Sequence, residues 1–390
     1  MGLAGPYLTP AHLKGFDSYK YSAVDTSPLS KYVTHPFWNA VVELFPKWVA
    51  PNLITFSGGL LLMAILFMLG YYDWDYYTTS NDLGLVFPPI PSIVWLLSAI
   101  FHFTAHTLDG IDGKQARRTG SSTPLGELFD HGIDSVACIL LPVCLMSMFG
   151  RGNLQWGGTT YDAFFPCMAV LAGFYLSHWE KYVTGVLYLP WIYDIVQLGC
   201  ALAYLMTYLY GVELWHFSVP PGIKSAVVVK WLLIVGFFGS IPMTLWNIYD
   251  HYNAESGRRK LGLLAALEPW SPFLMMSTLW TVWVFASPTE ILEREPRLLL
   301  ITIGVNFSNI TCRLIIAQMS SHRSDLFNML LVPLSLGVCL SICFPSYELV
   351  IFYVVCIIIN LAQLDYAVSV VNELCDHFKI YCFSLVKRSD

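Results

Sequence analysis

The chain has 390 residues, 56% of them hydrophobic and 12% charged, against roughly 25% charged residues in soluble domains. That balance excludes an ordinary soluble enzyme and predicts an all-α, polytopic membrane helical bundle. The net charge of −6 averages over two sides of a membrane, and no basic run points to nucleic acid.

Segment 1–51 reads as a cytosolic or interfacial amphipathic segment. MGLAGPYLTPAHLKGFDSYKYS lacks the apolar core of a signal peptide. Pro6 stands where a myristoylation pattern wants Ser or Thr. Ser27-Pro28 is a helix start, with serine capping and proline at the first helical position. Leu29, Val33, Phe37, Val41 and Phe45 then recur every fourth residue, with Pro36 kinking the run. The pattern predicts a helix lying in the plane of the membrane interface.

Ten apolar stretches follow, near 52–72, 90–110, 132–150, 161–180, 187–210, 229–249, 262–287, 298–318, 326–344 and 348–371. Each is read as long enough to cross a hydrocarbon core of about 30 Å. Residues 52–250 would form the catalytic helices and 251–373 further transmembrane helices, a lipid pocket or a dimer contact; 374–390 would be a cytosolic tail. Threaded through this layout, fifteen Lys and Arg fall on one side and five on the other, with Arg313 inside a span. The rule that positive charge stays inside then puts both termini in the cytosol. Ten scattered cysteines, none spaced for zinc, read as small buried residues. The glycosylation patterns at Asn306 and Asn309 fall inside the eighth stretch and should be unused.

The stretch DGIDGKQARRTGSSTPLGELFDHGID, Asp109 to Asp134, carries four aspartates where two apolar helices meet. Asp109 and Asp112 are three apart and share a helix face; Gly126, Asp130 and Asp134 are spaced by four and share another. Two antiparallel helices can therefore aim four carboxylates at one spot. Unpaired, each would cost about 2.5–3.5 kcal/mol at membrane depth. Divalent cations resolve this, and an all-oxygen donor set favours Mg²⁺, Mn²⁺ or Ca²⁺ over zinc or copper. Four carboxylates suit two ions roughly 4 Å apart, an arrangement that serves displacement at phosphorus. Gly113 and Gly126 would let a diphosphate approach the backbone, Ala116 leaves room, and Arg117 can clamp phosphate with its planar fork. Lys114 and Gln115 are weaker helpers.

The pattern Asp109-x2-Asp112-Gly113-x2-Ala116-Arg117-x8-Gly126-x3-Asp130-x3-Asp134 resembles the signature of the CDP-alcohol phosphotransferase family, with all eight signature residues present. APNLITFSG and SHWEKYVTG extend the likeness. The resemblance implies transfer of a phospho-alcohol from a CDP-alcohol to a lipid hydroxyl, with release of CMP. It implies Asp109, Asp112 and Asp130 as ligands of Mg²⁺ or Mn²⁺, in two ions, with Asp134 binding or lying beside them. It places Gly113, Ala116, Arg117 and Gly126 at the CDP site and Asn52 against the nucleotide, although an N-cap role for Asn52 is open. It also implies CDP-ethanolamine as donor, diacylglycerol as acceptor and phosphatidylethanolamine as product, in the endoplasmic reticulum membrane or the Golgi, with a homodimer open.

The acceptor hydroxyl needs a base. His131 is proposed, with Glu127 four residues earlier on the same stripe to orient it; Asp134 is the rival. His178, Glu180 and Lys181 are either a solvated helix end or part of the site's cytosolic wall. Asp194 and Asp365, inside spans, need partners, and Arg313 should snorkel or pair. A choline or dual-specificity enzyme carries the same signature. A cation-coupled transporter would want acids in mid-span and duplicated broken helices, which the chain lacks; an inactive scaffold would show a damaged signature.

Overall fold

The computed structural model describes residues 5–79, 87–152, 156–220, 222–254 and 260–387. Arg258, Arg259 and Arg388 of the charge pattern lie outside them. In chain order the α-helices are α1 Pro10–Phe16, α2 His35–Val41, α3 Pro51–Tyr72, α4 Ser92–Thr119, α5 Pro124–Leu145, α6 Thr160–Thr184, α7 Ile192–Tyr210 and α8 Ser225–Asn253. They continue as α9 Leu263–Leu267, α10 Trp270–Ala286, α11 Ile291–Arg294, α12 Pro296–Met319, α13 Leu331–Cys343 and α14 Glu348–Phe378. Strand is confined to three two-stranded pairings among the described residues. The protein is an all-α polytopic membrane protein, as its composition required.

Nine of the ten apolar stretches centre on one helix each, α3 to α8 and α12 to α14, and the stretch 262–287 divides into α9 and α10. Among the described residues, six segments are long and apolar enough to cross a membrane by length and composition: 51–72, 124–148, 192–210, 225–253, 296–319 and 345–378. The expectation that every stretch spans alone needs correction at α13. Its 13 residues reach only about 20 Å at 1.5 Å per residue. The apolar stretch begins at 326, but there the Asn328 Oδ1 accepts from the Leu330 N–H and forms a turn. At the other extreme α14 continues past 371 to Phe378.

The elements that build the site are joined tightly. α4 ends at Gly120, whose φ of +66° closes the helix with a left-handed residue. Thr123 then caps α5, its hydroxyl accepting from the Gly126 N–H at 3.1 Å, with Pro124 at the first helical position. Four residues therefore reverse the chain, so that the first turns of α5 face the last turns of α4. α3 packs against both, α7 packs on α4, and α12 packs on α5. The α5–α12 approach depends on Gly304, where a Cβ would stand 2.0 Å from Ile139 Cγ2.

The N-terminal run is helical from Pro28 to Leu44 but changes type three times. The Ser27 hydroxyl accepts from the Ser30 N–H at 3.4 Å. A π-turn, Ser30–Thr34, precedes α2, and a 3₁₀ turn, Val42–Leu44, follows it. Pro36 supplies no N–H to the preceding turn, and the wider π-turn absorbs that loss. Tyr32, Val33, Phe37, Leu44 and Trp48 are exposed, while Trp38 is buried with its ring against Gly110 of α4. Further upstream, Tyr7 and Leu8 donate their N–H groups to Glu373 of α14 at 2.9 and 2.8 Å. The end of the bundle that carries the aspartates thus also receives the N-terminal segment and, through Asn52 and Cys382, the hairpin at 380–387.

Candidate active site

Carboxylate oxygens of Asp109, Asp112 and Asp130 lie within 4.8 Å of one another. The α4–α5 reversal produces this: the last turns of one helix face the first turns of the next. Asp134 lies one turn deeper on α5, outside that oxygen cluster. Two neighbours orient the cluster. Thr55 of α3 donates its hydroxyl to Asp112 Oδ2. Tyr193 of α7 donates its hydroxyl to Asp109 Oδ2 at 3.0 Å. Asp130 Oδ1 is buried with no hydrogen-bond partner. An acidic, all-oxygen set with an unpaired buried carboxylate oxygen fits a hard divalent cation, which would offset the cost of burying it.

The groups expected around the donor are also present. At Gly113 the nearest atom to an added Cβ is Arg117 Nη1, at 3.6 Å, so the backbone there is open and the guanidinium stands beside it. Gly126 faces the Asn52 side chain, with Asn52 Oδ1 3.4 Å from the position of a Cβ. Asn52 is not an N-cap: α3 is capped by Ala50, and the Asn52 amide points instead to Gly126 and to Cys382 Sγ, 3.7 Å away. Lys114 and Gln115 turn away from this face. Lys114 Nζ donates to Asn39 Oδ1 at 2.8 Å, and Gln115 Nε2 donates to the carbonyls of Pro46 and Val49. Both hold the N-terminal segment in place.

The pairing expected between Glu127 and His131 is absent. Glu127 Oε1 is taken by the Lys181 ammonium and by the Tyr19 hydroxyl, the latter at 2.8 Å, and Glu127 Oε2 has no partner. A buried lysine must find a counter-charge, and Glu127 is where α6 brings it. His131 lies with Nε2 3.8 Å from Asp130 Oδ2, its ring edge-on to His178 at 4.9 Å, and its Nδ1 unpartnered. His178, Glu180 and Lys181 are all buried, so the solvated helix end is excluded. Glu180 accepts from Thr244 at 2.8 Å and Asn247 at 2.7 Å, both on α8.

Tyr19 and Tyr21 bring rings to within 5.9 and 5.0 Å of Lys181 Nζ. Burial, then the charge of Glu127, pushes both phenols above their ordinary pKa, so they stay protonated. No local pattern of charge or spacing singles out Tyr19, Tyr21, Thr55 or Tyr193. The remaining intramembrane charges do find partners. Asp365 accepts from the Tyr7 hydroxyl at 2.7 Å, and Arg313 pairs with Asp325 at 3.3 Å. Asn306 and Asn309 are buried, with Asn309 bonded to Gln363 at 2.7 Å, so neither is open to glycosylation.

Residues 48–219 match the CDP-alcohol phosphatidyltransferase family, a range that holds the three-carboxylate cluster, Arg117 and Lys181. The chain belongs to that family. Its similarity runs beyond the matched range: it is 44% identical to ethanolaminephosphotransferase 1 of Mus musculus, over 98% of this chain and 95% of that protein. It is 31% identical to choline/ethanolaminephosphotransferase 1 of Arabidopsis thaliana, over 95% and 96%. Cholinephosphotransferase 1 of Danio rerio is 29% identical, over 97% and 95%.

Proposed function

We propose that the protein transfers phosphoethanolamine from CDP-ethanolamine to diacylglycerol, giving phosphatidylethanolamine and CMP. The observation that carries this reading is the clustering of Asp109, Asp112 and Asp130 beside an open backbone at Gly113 and a neighbouring Arg117. The choice of ethanolamine over choline rests on the 44% relatives, against 31% and 29% for those named for both alcohols or for choline.

Asp109, Asp112 and Asp130 would hold Mg²⁺ or Mn²⁺, in two ions, with Asp134 beside them. When bound, the cations neutralise the diphosphate and stabilise CMP as it leaves. Gly113, Ala116 and Gly126 leave room for the donor, Arg117 clamps phosphate, and Asn52 meets the nucleotide. His131 takes the proton of the acceptor hydroxyl; its unpartnered Nδ1 supports this role. Glu127, held by Lys181 and Tyr19, serves as part of the buried wall behind it. Asp134, three residues further along α5, is the competing base. The site faces the cytosol of the endoplasmic reticulum membrane, so the soluble donor enters from that side and the lipid acceptor from the bilayer.

Purified protein supplied with diacylglycerol and Mg²⁺ should prefer CDP-ethanolamine to CDP-choline, and Asp130→Asn should abolish product. Equal use of CDP-choline would overturn the alcohol and leave the chemistry. Loss of turnover in His131→Ala with activity retained in Asp134→Asn supports the histidine as base; the reverse pattern assigns that role to Asp134.

A further inference from the structure

Besides packing on α4, the start of α7 and the residues leading into it are tied to residues 22–34 of the N-terminal segment, which lie outside the family match at 48–219. Leu187 and Leu189 donate their N–H groups to the carbonyls of Ser22 and Val24, each at 3.0 Å. Trp191 Nε1 donates to Thr26 Oγ1 at 2.7 Å. Asp194 Oδ2 accepts from the hydroxyls of Ser30 and Thr34, at 2.6 and 2.9 Å. Ser30, Thr34 and Asp194 are each at most 4% exposed, so these are buried, charge-assisted bonds with no water in competition.

The residue before Asp194 is Tyr193, whose hydroxyl donates to Asp109 Oδ2 at 3.0 Å. The two neighbours point about 100° apart on one helical turn, so one grips the N-terminal helix and the other grips the acidic cluster. His106 fills the corner between them. Its Nε2 is 3.7 Å from Asp194 Oδ1, and its ring sits between those of Trp38 and Tyr193, at 5.4 and 5.9 Å. Rotation or fraying of the first turn of α7 would swing the Tyr193 hydroxyl off Asp109.

We propose that Ser30 and Thr34, acting through Asp194 and Tyr193, are positioning residues that set the Asp109 carboxylate for cation binding. The N-terminal helix is then part of the metal site without touching it. This rests on the reading of the aspartates as a divalent-cation site. Hydrogen bonds behind metal ligands are commonly worth 10–100-fold in affinity.

The test is Mn²⁺ binding to the full-length protein in detergent, followed by electron paramagnetic resonance of the free ion, with thermal unfolding recorded on each variant. Tyr193→Phe removes one hydroxyl and leaves the ring. The Ser30→Ala/Thr34→Ala pair removes both donors to Asp194. Both should weaken Mn²⁺ about 10- to 100-fold, while Ser30→Thr/Thr34→Ser, which keeps both hydroxyls, binds close to wild type. Wild-type affinity in Tyr193→Phe and in the alanine pair, with Asp109→Asn deficient, would overturn the proposal. Absence of Mn²⁺ binding in the wild type itself would overturn the cation site beneath it. Should the alanine pair unfold, Thr34→Val, which keeps the side-chain volume and removes one donor to Asp194, takes its place: weakened Mn²⁺ binding supports the proposal and wild-type affinity overturns it.

Discussion

A methyl group added at Gly113 would meet only Arg117 Nη1, at 3.6 Å, which is ordinary van der Waals contact. Gly113 lies inside α4 and its conformation is helical. Alanine there should therefore stabilise the helix by up to about 1 kcal/mol. The chemistry predicts the opposite effect on turnover. If a diphosphate packs against this backbone, the methyl occupies its space and costs about 1–3 kcal/mol of overpacking, roughly 5- to 150-fold in donor affinity. Gly110, three residues earlier, is the control. A Cβ there would stand 2.2 Å from Trp38 Cε2, inside the ring's contact distance, so the fold itself must give. Gly110→Ala should lose about 0–2 kcal/mol, the overpacking cost less the helix gain. Thermal unfolding in detergent and initial rates against CDP-ethanolamine at saturating diacylglycerol read the two effects separately. A Gly113→Ala protein with an unchanged KM for the donor would refute the close backbone approach. One that melts as early as Gly110→Ala would refute the open space.

Two further substitutions test the packing around the site. Lys181→Met leaves the Glu127 carboxylate buried with only the Tyr19 hydroxyl, and breaking a buried pair from one side costs about 3–5 kcal/mol. Lys181→Met with Glu127→Gln removes both charges and should recover most of that loss in a thermal melt; equal loss in single and double variants would show that the pair is not what matters. Gly304→Ala, with Ile139 Cγ2 at 2.0 Å, should pry α12 from α5 and lower the melting temperature. Gly132→Ala meets only Cys312 Sγ at 3.6 Å on the same helix pair and should not.

The spans were legible because transfer of apolar side chains into hydrocarbon is a local sum over consecutive residues. α13 shows where such a sum fails: it counts Phe327, Met329 and Leu330 as apolar but is blind to the Asn328 side chain that bonds the Leu330 N–H and delays the helix. The carboxylate cluster was legible for a different reason. Its residues sit on two consecutive helices joined by a four-residue turn, so helical spacing alone nearly fixes their meeting. Glu127 and His131 satisfied the same spacing rule and still do not pair. A spacing rule ranks neighbours only on one helix, whereas Lys181, 54 residues on, offers a full charge in a site where little else can neutralise it. Asp194 lies between these cases. A carboxylate in an apolar stretch announces that it needs a partner, but Ser30 and Thr34 are ordinary residues 164 and 160 positions away. Burial makes the demand for a partner readable in sequence, while the partner's identity is a property of the assembled bundle. The same asymmetry explains why the N-terminal segment read only as an amphipathic surface: Ser27, Ser30, Thr34, Trp38 and Val42 form its buried stripe at helical spacing, but the hydroxyls among them carry no apolar signal, so a pattern of apolar residues passes over the side by which it reaches Asp109.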